Sequence, residues 1–230
     1  MLNSLGWSLL CLIATAALVN WIGAWDWKPK LYYASKPLVL LLLILFFLIQ
    51  IPLERRTLPF LVGLAFSLAG DVLLIPKGTR WFLAGAGAFS IAQLCYIVGF
   101  NLSLPSIPVL LLAGFALIVC LLIIHLAIER FAKSSTVSKS LLPFLKSYAL
   151  LVIAMAISAV ICIGRPGWSD SAAVMAGMGG VLFALSDVMI GLDKLERRLP
   201  RCRFWIIITY HIAQFLIVAA IVFLTKPMPL

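Results

Sequence analysis

Long apolar runs separated by short polar segments extend along the whole sequence. Eight of these runs approach the length of about 20 residues that a helix needs to cross a bilayer. Their predicted bounds are about Ser4 to Ala24, Pro37 to Leu53, Leu58 to Pro76, Trp81 to Asn101, Pro105 to Ile128, Pro143 to Gly164, Ser171 to Leu192 and Phe204 to Leu224. No basic residue precedes the first run, so we interpret it as a retained helix rather than a signal peptide. The pattern predicts an all-α protein, a polytopic bundle of eight transmembrane helices in a single domain over residues 1–230.

The composition agrees with a membrane protein and argues against other classes. Hydrophobic residues make up 64% of the chain and charged residues 11%, and the mean hydropathy is +1.16. The net charge of +10 comes from basic residues in short loops, so we predict no nucleic-acid partner. Five cysteines without a CxxC pair predict free thiols. Two histidines are too few for a histidine-rich metal centre, and we predict no metal ligand and no cofactor.

The distribution of loop charge predicts the orientation in the membrane. Fourteen Lys and Arg residues follow spans one, three, five and seven: Lys28, Lys30, Lys36, Lys77, Arg80, Arg130, Lys133, Lys139, Lys146, Lys194, Arg197, Arg198, Arg201 and Arg203. The opposite side has four, Arg55, Arg56, Arg165 and Lys226. Because cytoplasmic loops carry an excess of Lys and Arg, we predict that the first set is cytoplasmic and that both termini are not.

Two aspartates interrupt the apolar runs. Asp71 ends the motif FSLAGD in span three, and Asp187 ends GGVLFALSD in span seven. A charged group costs about 2.5–3.5 kcal/mol at the centre of an inserted helix, so such residues are functional-site candidates. Both aspartates lie near the predicted C-terminal ends of their helices, where the helix dipole disfavours a carboxylate and argues against capping. We predict that Asp71 and Asp187 are catalytic, with a structural pair as the alternative.

Other polar side chains are predicted to lie with the acids on the cytoplasmic side. Lys36 precedes Pro37 at the predicted start of span two, with Ser35 as its candidate N-cap. It is interpreted as a counter-charge for the acids or for a lipid phosphate, or alternatively as an interfacial lysine. The predicted substrate-binding residues are Lys36, Ser67, Gln93, Tyr148, Ser186, Tyr210 and Gln214. For the two tyrosines, an interfacial aromatic belt is the alternative.

Spacing also suggests an internal repeat. Gln93 follows Asp71 by 22 residues, and Tyr210 follows Asp187 by 23 residues. The two acid-bearing spans are predicted to run in the same direction through the membrane. A parallel four-plus-four duplication would explain this spacing.

These motifs, with SKP at residues 35–37 and YHIAQ at residues 210–214, resemble the YhhN family of membrane proteins, whose animal members are the TMEM86 lysoplasmalogenases. The resemblance covers spans two to eight in order. Family members commonly carry a histidine where this sequence has Gln93, which argues against a mechanism that needs an imidazole on span four.

The resemblance implies hydrolysis of the vinyl ether bond of lysoplasmalogens, with a lysophospholipid substrate and membrane lipids as partners. Its products would be a fatty aldehyde and glycerophospho-ethanolamine or glycerophospho-choline. A vinyl ether is hydrolysed by proton transfer to carbon and capture of the resulting cation by water, which suits one protonated and one ionised carboxyl group. We predict Asp187 as the acid and Asp71 as the ionised partner, or the reverse. Gln93, Tyr148, Tyr210 and Gln214 would orient water or the headgroup.

Two other functional classes are compatible with intramembrane acids. A proton-coupled transporter would carry such acids in broken helices near the midplane of the bilayer, whereas these acids are predicted near one face of the membrane. A non-catalytic lipid-binding protein is the third class, and a metal held between the acids is the alternative chemistry. We predict a bacterial inner membrane as the location, and the loop charges predict the site on its cytoplasmic side.

Overall fold

The computed structural model describes residues 4–132, 142–194 and 200–225, without the side chains of residues 131, 132 and 194. Within these ranges the regular structure is helical throughout. The helices are α1 (Ser4–Trp25), α2 (Pro29–Gln50), α3 (Leu58–Leu73), α4 (Thr79–Phe100), α5 (Ile107–Ala132), α6 (Leu142–Val160), α7 (Asp170–Lys194) and α8 (Cys202–Thr225). A 3-10 turn, Ile161–Gly164, follows α6. The prediction of an all-α bundle of eight helices is confirmed.

Seven of the described helices are long and apolar enough to cross a membrane. The exception, α3, has 16 residues and is apolar throughout apart from Ser67 and Asp71. The protein is therefore an integral membrane protein. The five cysteines are free thiols, as predicted. Of the basic residues used to predict the orientation, Lys133, Lys139, Arg197, Arg198, Lys226 and the side chain of Lys194 lie outside the described parts of the chain.

The prediction that the second helix begins at Pro37 is wrong. Helix α2 begins at Pro29, eight residues earlier, with Lys28 in the N-cap position. Proline is favoured in the first turn of a helix, and Pro29 occupies that position, whereas Pro37 lies inside α2. The sequence pattern favours Pro37 as the start because it borders the purely apolar run. Ser35 is not an N-cap, because its hydroxyl donates a hydrogen bond to the Leu31 carbonyl within the helix, at 2.6 Å. Lys36 consequently lies two turns inside α2.

Neighbouring helices in sequence pack as antiparallel pairs, α1 with α2, α3 with α4 and α7 with α8. The short loops between them favour this arrangement. Helix α6 packs against both α4 and α7 and so joins the two halves of the chain, while α5 packs mainly against α6 at the periphery. The core contains large aromatic side chains, with Phe60, Tyr96, Phe100 and Phe183 fully buried.

Glycines on α3 and α4 allow these aromatic rings to approach the helix backbones. A methyl group at Gly63 would lie 2.4 Å from Cε1 of Tyr96, and one at Gly99 would lie 2.6 Å from Cε2 of Phe60. Small residues at helix contacts in lipid permit this close approach. The fold therefore depends on the absence of a side chain at these positions.

We expect Gly99→Ala to destabilise the bundle by about 1–3 kcal/mol, because Phe60 would have to leave its packed position. Gly87→Ala on the same helix is the matched control, since a methyl group there would meet no atom within 4 Å. The control should leave stability unchanged or raise it by about 0.5–1 kcal/mol. The free energy of unfolding in mixed micelles measures both effects. Equal stability of the two variants would contradict the tight packing at Gly99.

Candidate active site

Asp71 is a buried residue near the C-terminal end of α3 and is paired with a cation. Its Oδ1 is 3.0 Å from Nζ of Lys36 on α2, and its Oδ2 accepts a hydrogen bond from the Tyr210 hydroxyl on α8 at 3.1 Å. All three residues are buried, and the side chain of Asp71 is 1% exposed. Burying two charges is costly unless they are paired and hydrogen-bonded, and this geometry provides both. These three residues form the Asp71 cluster.

A second layer of polar groups lies next to the Asp71 cluster. The Tyr96 hydroxyl donates to Oε1 of Gln214 at 2.7 Å, and Gln214 lies one helical turn after Tyr210. Ser67, one turn before Asp71, is fully buried beside Tyr96. Nε2 of Gln214 and Oγ of Ser67 have no hydrogen bond of good geometry to any described residue. This layer therefore has donor capacity left for water or a ligand.

Helix α1 helps to position Lys36. Pro37 cannot donate the backbone hydrogen bond of a regular helix, which loosens α2 next to Lys36. Asn20 on α1 is fully buried and donates to the Tyr32 carbonyl at 2.7 Å and to Oγ of Ser35 at 2.9 Å. These bonds stabilise the segment of α2 that carries Lys36.

Asp187 lies in α7 with neutral partners. Its Oδ2 accepts hydrogen bonds from the Tyr148 hydroxyl on α6 and from Nε2 of Gln93 on α4, both at 2.9 Å. Gln93 also donates to the Tyr148 hydroxyl at 3.2 Å, so the three side chains close a triangle. No ion pair reaches Asp187 from any residue that the structure describes. These residues form the Asp187 cluster.

The two clusters have the same arrangement, displaced by four helices. Asp71 on α3 is contacted from α2 and α8, and Asp187 on α7 is contacted from α6 and α4. If α1 is counted again after α8, adding four to each helix number converts α3, α2 and α8 into α7, α6 and α4. The clusters differ in charge, because Lys36 of the first corresponds to Tyr148 of the second. This arrangement is compatible with the four-plus-four repeat, which stays a prediction.

An apolar cavity of about 390 Å³ lies beside Asp187. Its wall is built by α4, α5, α6 and α7 and by Leu74 after α3, and its two polar lining residues are Asp187 and Tyr148. The other lining residues include Phe82, Phe89, Ile123, Ile124, Ala127, Phe144, Val152 and Leu192. A mostly apolar cavity with a few convergent polar groups is typical of a small-molecule site.

The predicted site residues fall into two groups in the structure. Asp187 and Tyr148 line this cavity, and Gln93 contacts both of them from behind. The remaining predicted residues belong to, or adjoin, the Asp71 cluster, which does not line the cavity: Lys36, Ser67, Asp71, Tyr210 and Gln214. Ser186 has no described hydrogen bond to either cluster, and its hydroxyl donates to the Ile206 carbonyl on α8 at 3.1 Å.

Aromatic rings separate the two clusters. Phe89 and Phe183 both contact the ring of Tyr210, with centroids 5.8 Å apart in each case, and Phe89 also lines the cavity. No residue belongs to both clusters. Within the described residues, no group of three or more His, Cys, Asp or Glu side chains comes together as a metal-ligand set.

The sequence profile of the YhhN family matches residues 31–221, most of the chain. The chain belongs to the YhhN family. The match spans α3 and α7 completely, and so includes both acids. Among curated proteins, this YhhN chain is similar to the lysoplasmalogenase TMEM86A of Bos taurus, with 28% identity over 72% of the chain and 66% of that protein. It is also similar to the human lysoplasmalogenase TMEM86B, with 28% identity over 73% and 64%.

A third relative is the lysoplasmalogenase TMEM86B of Mus musculus, with 30% identity over 68% of the YhhN chain and 60% of that protein. The matched part of the chain thus spans less than two thirds of the length of these relatives, between 60% and 66%. A comparison with the solved structures gave no match.

Sequence reasoning missed two polar residues next to the YhhN site. Asn20 is a polar residue in the first apolar run, and such a residue is itself a signal within a transmembrane helix. His211 is not among the predicted site residues, yet it is buried and its Nδ1 accepts a hydrogen bond from the Trp21 indole at 3.2 Å. That bond places the proton of a neutral imidazole on Nε2, which has no partner among the described residues.

Proposed function

We propose that this protein is a lysoplasmalogenase-like hydrolase that cleaves the vinyl ether bond of a lysophospholipid. The products are a fatty aldehyde and a glycerophosphodiester such as glycerophospho-ethanolamine or glycerophospho-choline. The observation that carries the proposal is the position of Asp187, a buried acid with neutral partners in the wall of an apolar cavity. Membership of the family and the similarity to proteins named lysoplasmalogenases support it.

The cavity suits the alkenyl chain of such a substrate. Its volume of about 390 Å³ lies within the usual range for ligand sites, roughly 300–1,000 Å³. Helix α5 forms one wall and lies at the periphery of the bundle, where most of its surface is exposed. A lipid can therefore enter sideways from the bilayer without passing through water.

The chemistry assigned to Asp187 begins with its carboxylic acid. The acid transfers its proton to the second carbon of the vinyl ether, and the first carbon becomes an oxocarbenium ion. The carboxylate left behind stabilises that cation and then accepts a proton from the water that attacks it. The hemiacetal so formed breaks into aldehyde and alcohol, and Asp187 is again protonated. Tyr148 and Gln93 hold the carboxyl group in place through all of these steps.

Asp71 receives a different role in this proposal. Lys36 keeps it paired as a carboxylate, and it lies outside the lining of the cavity. We assign to it the positioning of Tyr210, whose ring packs against Phe89 and Phe183. The sequence predicts Asp71 as the ionised catalytic partner, and direct contact between Asp71 and the reacting atoms would require the substrate to extend beyond these rings.

We further propose a bacterial inner membrane as the location, with the acids towards the cytoplasm. The supporting observation is the excess of basic residues at that end of the bundle. Arg201 and Arg203 there lie over the rings of Trp25 and Trp27, with the guanidinium carbons 3.6 and 4.0 Å from the ring centroids. Lysine and arginine in short loops are retained on the cytoplasmic side.

The function is tested by incubating the detergent-purified protein with a lysoplasmenylethanolamine and measuring both products. We expect one aldehyde for each glycerophospho-ethanolamine. The matched 1-acyl lysolipid, which has an ester in place of the vinyl ether, should give neither product. Movement of intact lipid across the membrane of sealed vesicles without aldehyde release would instead favour the transporter. If neither aldehyde release nor lipid movement is observed, lipid binding alone is favoured.

We expect Ala127→Phe to lower kcat/KM for a long-chain substrate by about tenfold or more, because the ring fills space in the cavity. The decrease in kcat/KM should be smaller for a substrate with a shorter alkenyl chain. Leu126→Phe is the matched control, since Leu126 is 59% exposed on the outer side of α5. The same loss for both chain lengths, or in both variants, would contradict the placement of the chain.

A further inference from the structure

A second cavity lies at the end of the bundle opposite to the two acids. Its volume is about 380 Å³, and its lining includes Arg55, Arg56, Leu102, Ser103, Gly167 and Trp168. Arg56 precedes the first residue of α3, whereas Asp71 lies near the last, so roughly 20 Å separates them at 1.5 Å per residue. This cavity is therefore distinct from the candidate active site.

Three arginines converge at this end of the bundle. Arg55 and Arg56 line the cavity, and Arg165 lies two residues before the lining residue Gly167. They are three of the four basic residues that depart from the charge bias of the loops. Because that bias disfavours basic residues on this side, we expect a local role for the three that converge here.

The loops around the cavity are held together by two of these arginines. Nη2 of Arg56 donates to the Gly167 carbonyl at 2.7 Å. Arg165 is only 4% exposed and donates to the Ser103 carbonyl and to Oδ1 of Asn101. Gly167 has a φ of +78°, and a methyl group there would lie 3.1 Å from Nη2 of Arg56. The cavity wall is thus a built structure that joins the α2–α3, α4–α5 and α6–α7 connections.

The positive charge of these arginines is not neutralised within the described residues. None of the three forms an ion pair there, and Arg55 is exposed and makes no described hydrogen bond. The acids nearest in sequence, Glu54 and Asp170, are exposed and form no ion pair with them. A guanidinium has five donors, and Arg56 uses one of them on Gly167. Donors and charge are therefore left for a ligand.

We propose that this cavity binds a phosphate group, with the phosphodiester of a phospholipid headgroup as its principal source. The planar guanidinium matches phosphate oxygens in a bidentate manner. Trp168 and Leu102 add an apolar side to the cavity, and an indole at such a position is typical of the membrane interface. The lipid would belong to the leaflet opposite to the acids. This inference does not rest on the proposed function.

The test measures binding of dioctanoyl phosphatidylglycerol to the purified full chain by native mass spectrometry. We expect wild type to bind it more tightly than dioctanoylglycerol, which lacks the phosphate. Arg55→Gln should lower the affinity about threefold or more, and Arg55→Gln/Arg56→Gln about tenfold or more. Arg80→Gln is the matched control, because Arg80 lies at the other end of the bundle over Trp81, and it should bind like wild type.

Thermal unfolding of each variant separates binding from folding. Arg55→Gln removes no described contact, so its melting temperature should equal that of wild type and its affinity loss remains interpretable even if the double variant unfolds. Equal affinity of wild type and a folded Arg55→Gln, or equal binding of the lipid without phosphate, would overturn the proposal. A competition with inorganic phosphate identifies the source of the phosphate group. If inorganic phosphate at equal concentration displaces the lipid, the site binds the free anion. If it does not, the site binds the headgroup.

Discussion

Replacing Asp187 by asparagine is expected to lower the rate of aldehyde release by about 10²–10⁴-fold, the range that a general acid contributes. Asparagine keeps the shape of the side chain and an oxygen that can accept from Tyr148 and Gln93. It cannot donate a proton to carbon. The fold should remain intact, because the variant removes no ion pair from the described structure. The rate is measured as kcat with saturating lysoplasmalogen.

Asp170→Asn is the matched control for this prediction. Asp170 begins the same helix, α7, but lies exposed at the opposite end, and asparagine is equally acceptable near a helix start. The control should retain wild-type activity. If Asp187→Asn loses activity and also has a lower melting temperature, the result does not separate a catalytic role from a role in folding. Tyr148→Phe is therefore added as a second variant. It removes one hydrogen bond to Asp187 and should lower kcat by a smaller factor than Asp187→Asn; an unchanged kcat in a folded Asp187→Asn contradicts the assignment.

That the two acids are buried and partnered could be predicted from the sequence, because a carboxylate in an apolar run is costly unless a partner accompanies it. Their catalytic role stays a proposal. Asp71 and Asp187 are both buried, and each has partners from two other helices. The helix count could be predicted for a similar reason, since backbone groups in lipid must be satisfied within each helix. These features depend on local composition alone.

The division of the polar residues between two clusters could not be predicted. The sequence predicts Lys36 and Tyr148 on the same side of the membrane as both acids. It indicates their depth in the bilayer but not the direction in which each side chain lies around the axis of the bundle. That direction depends on the packing of aromatic rings such as Phe89 and Phe183, which separate the clusters. The cavity beside Asp187 depends on how α5 docks on α6. The first four turns of α5 are wholly apolar and contain no signal for the docking face, and its polar contact with α6, the Glu129–Lys146 ion pair, lies in its last turns.

The Asp71 and Asp187 clusters share an arrangement but differ in the charge of one partner of the acid, and this difference bears on function. Equivalent positions hold Lys36 beside one acid and Tyr148 beside the other. A cation stabilises an ionised carboxylate, whereas a phenol can accompany a carboxylic acid without such a charge. Two similar frameworks could thus support different protonation states. The role of the Asp71 cluster can be separated from that of the Asp187 cluster by experiment.

Lys36→Met is expected to destabilise the protein by about 3–5 kcal/mol, because Asp71 would remain as a buried carboxylate without its cation. The variant Lys36→Met/Asp71→Leu removes both charges, and replacing a buried pair by apolar side chains is often nearly neutral. The double variant should therefore recover most of the loss, apart from the hydrogen bond that Tyr210 donates to Asp71. The free energy of unfolding in mixed micelles measures each effect.

Lys28→Met is the control for the charge change itself. Lys28 pairs with Asp26 at 3.4 Å, with 58% and 50% of the two side chains exposed, so its loss should cost at most about 1 kcal/mol. An equal cost at Lys28 and Lys36 would contradict the buried pair. The double variant also separates the two roles of Asp71. If Asp71 positions Tyr210, a folded Lys36→Met/Asp71→Leu protein should release aldehyde within about tenfold of wild type, whereas a loss as large as that in Asp187→Asn would make Asp71 the second catalytic carboxylate.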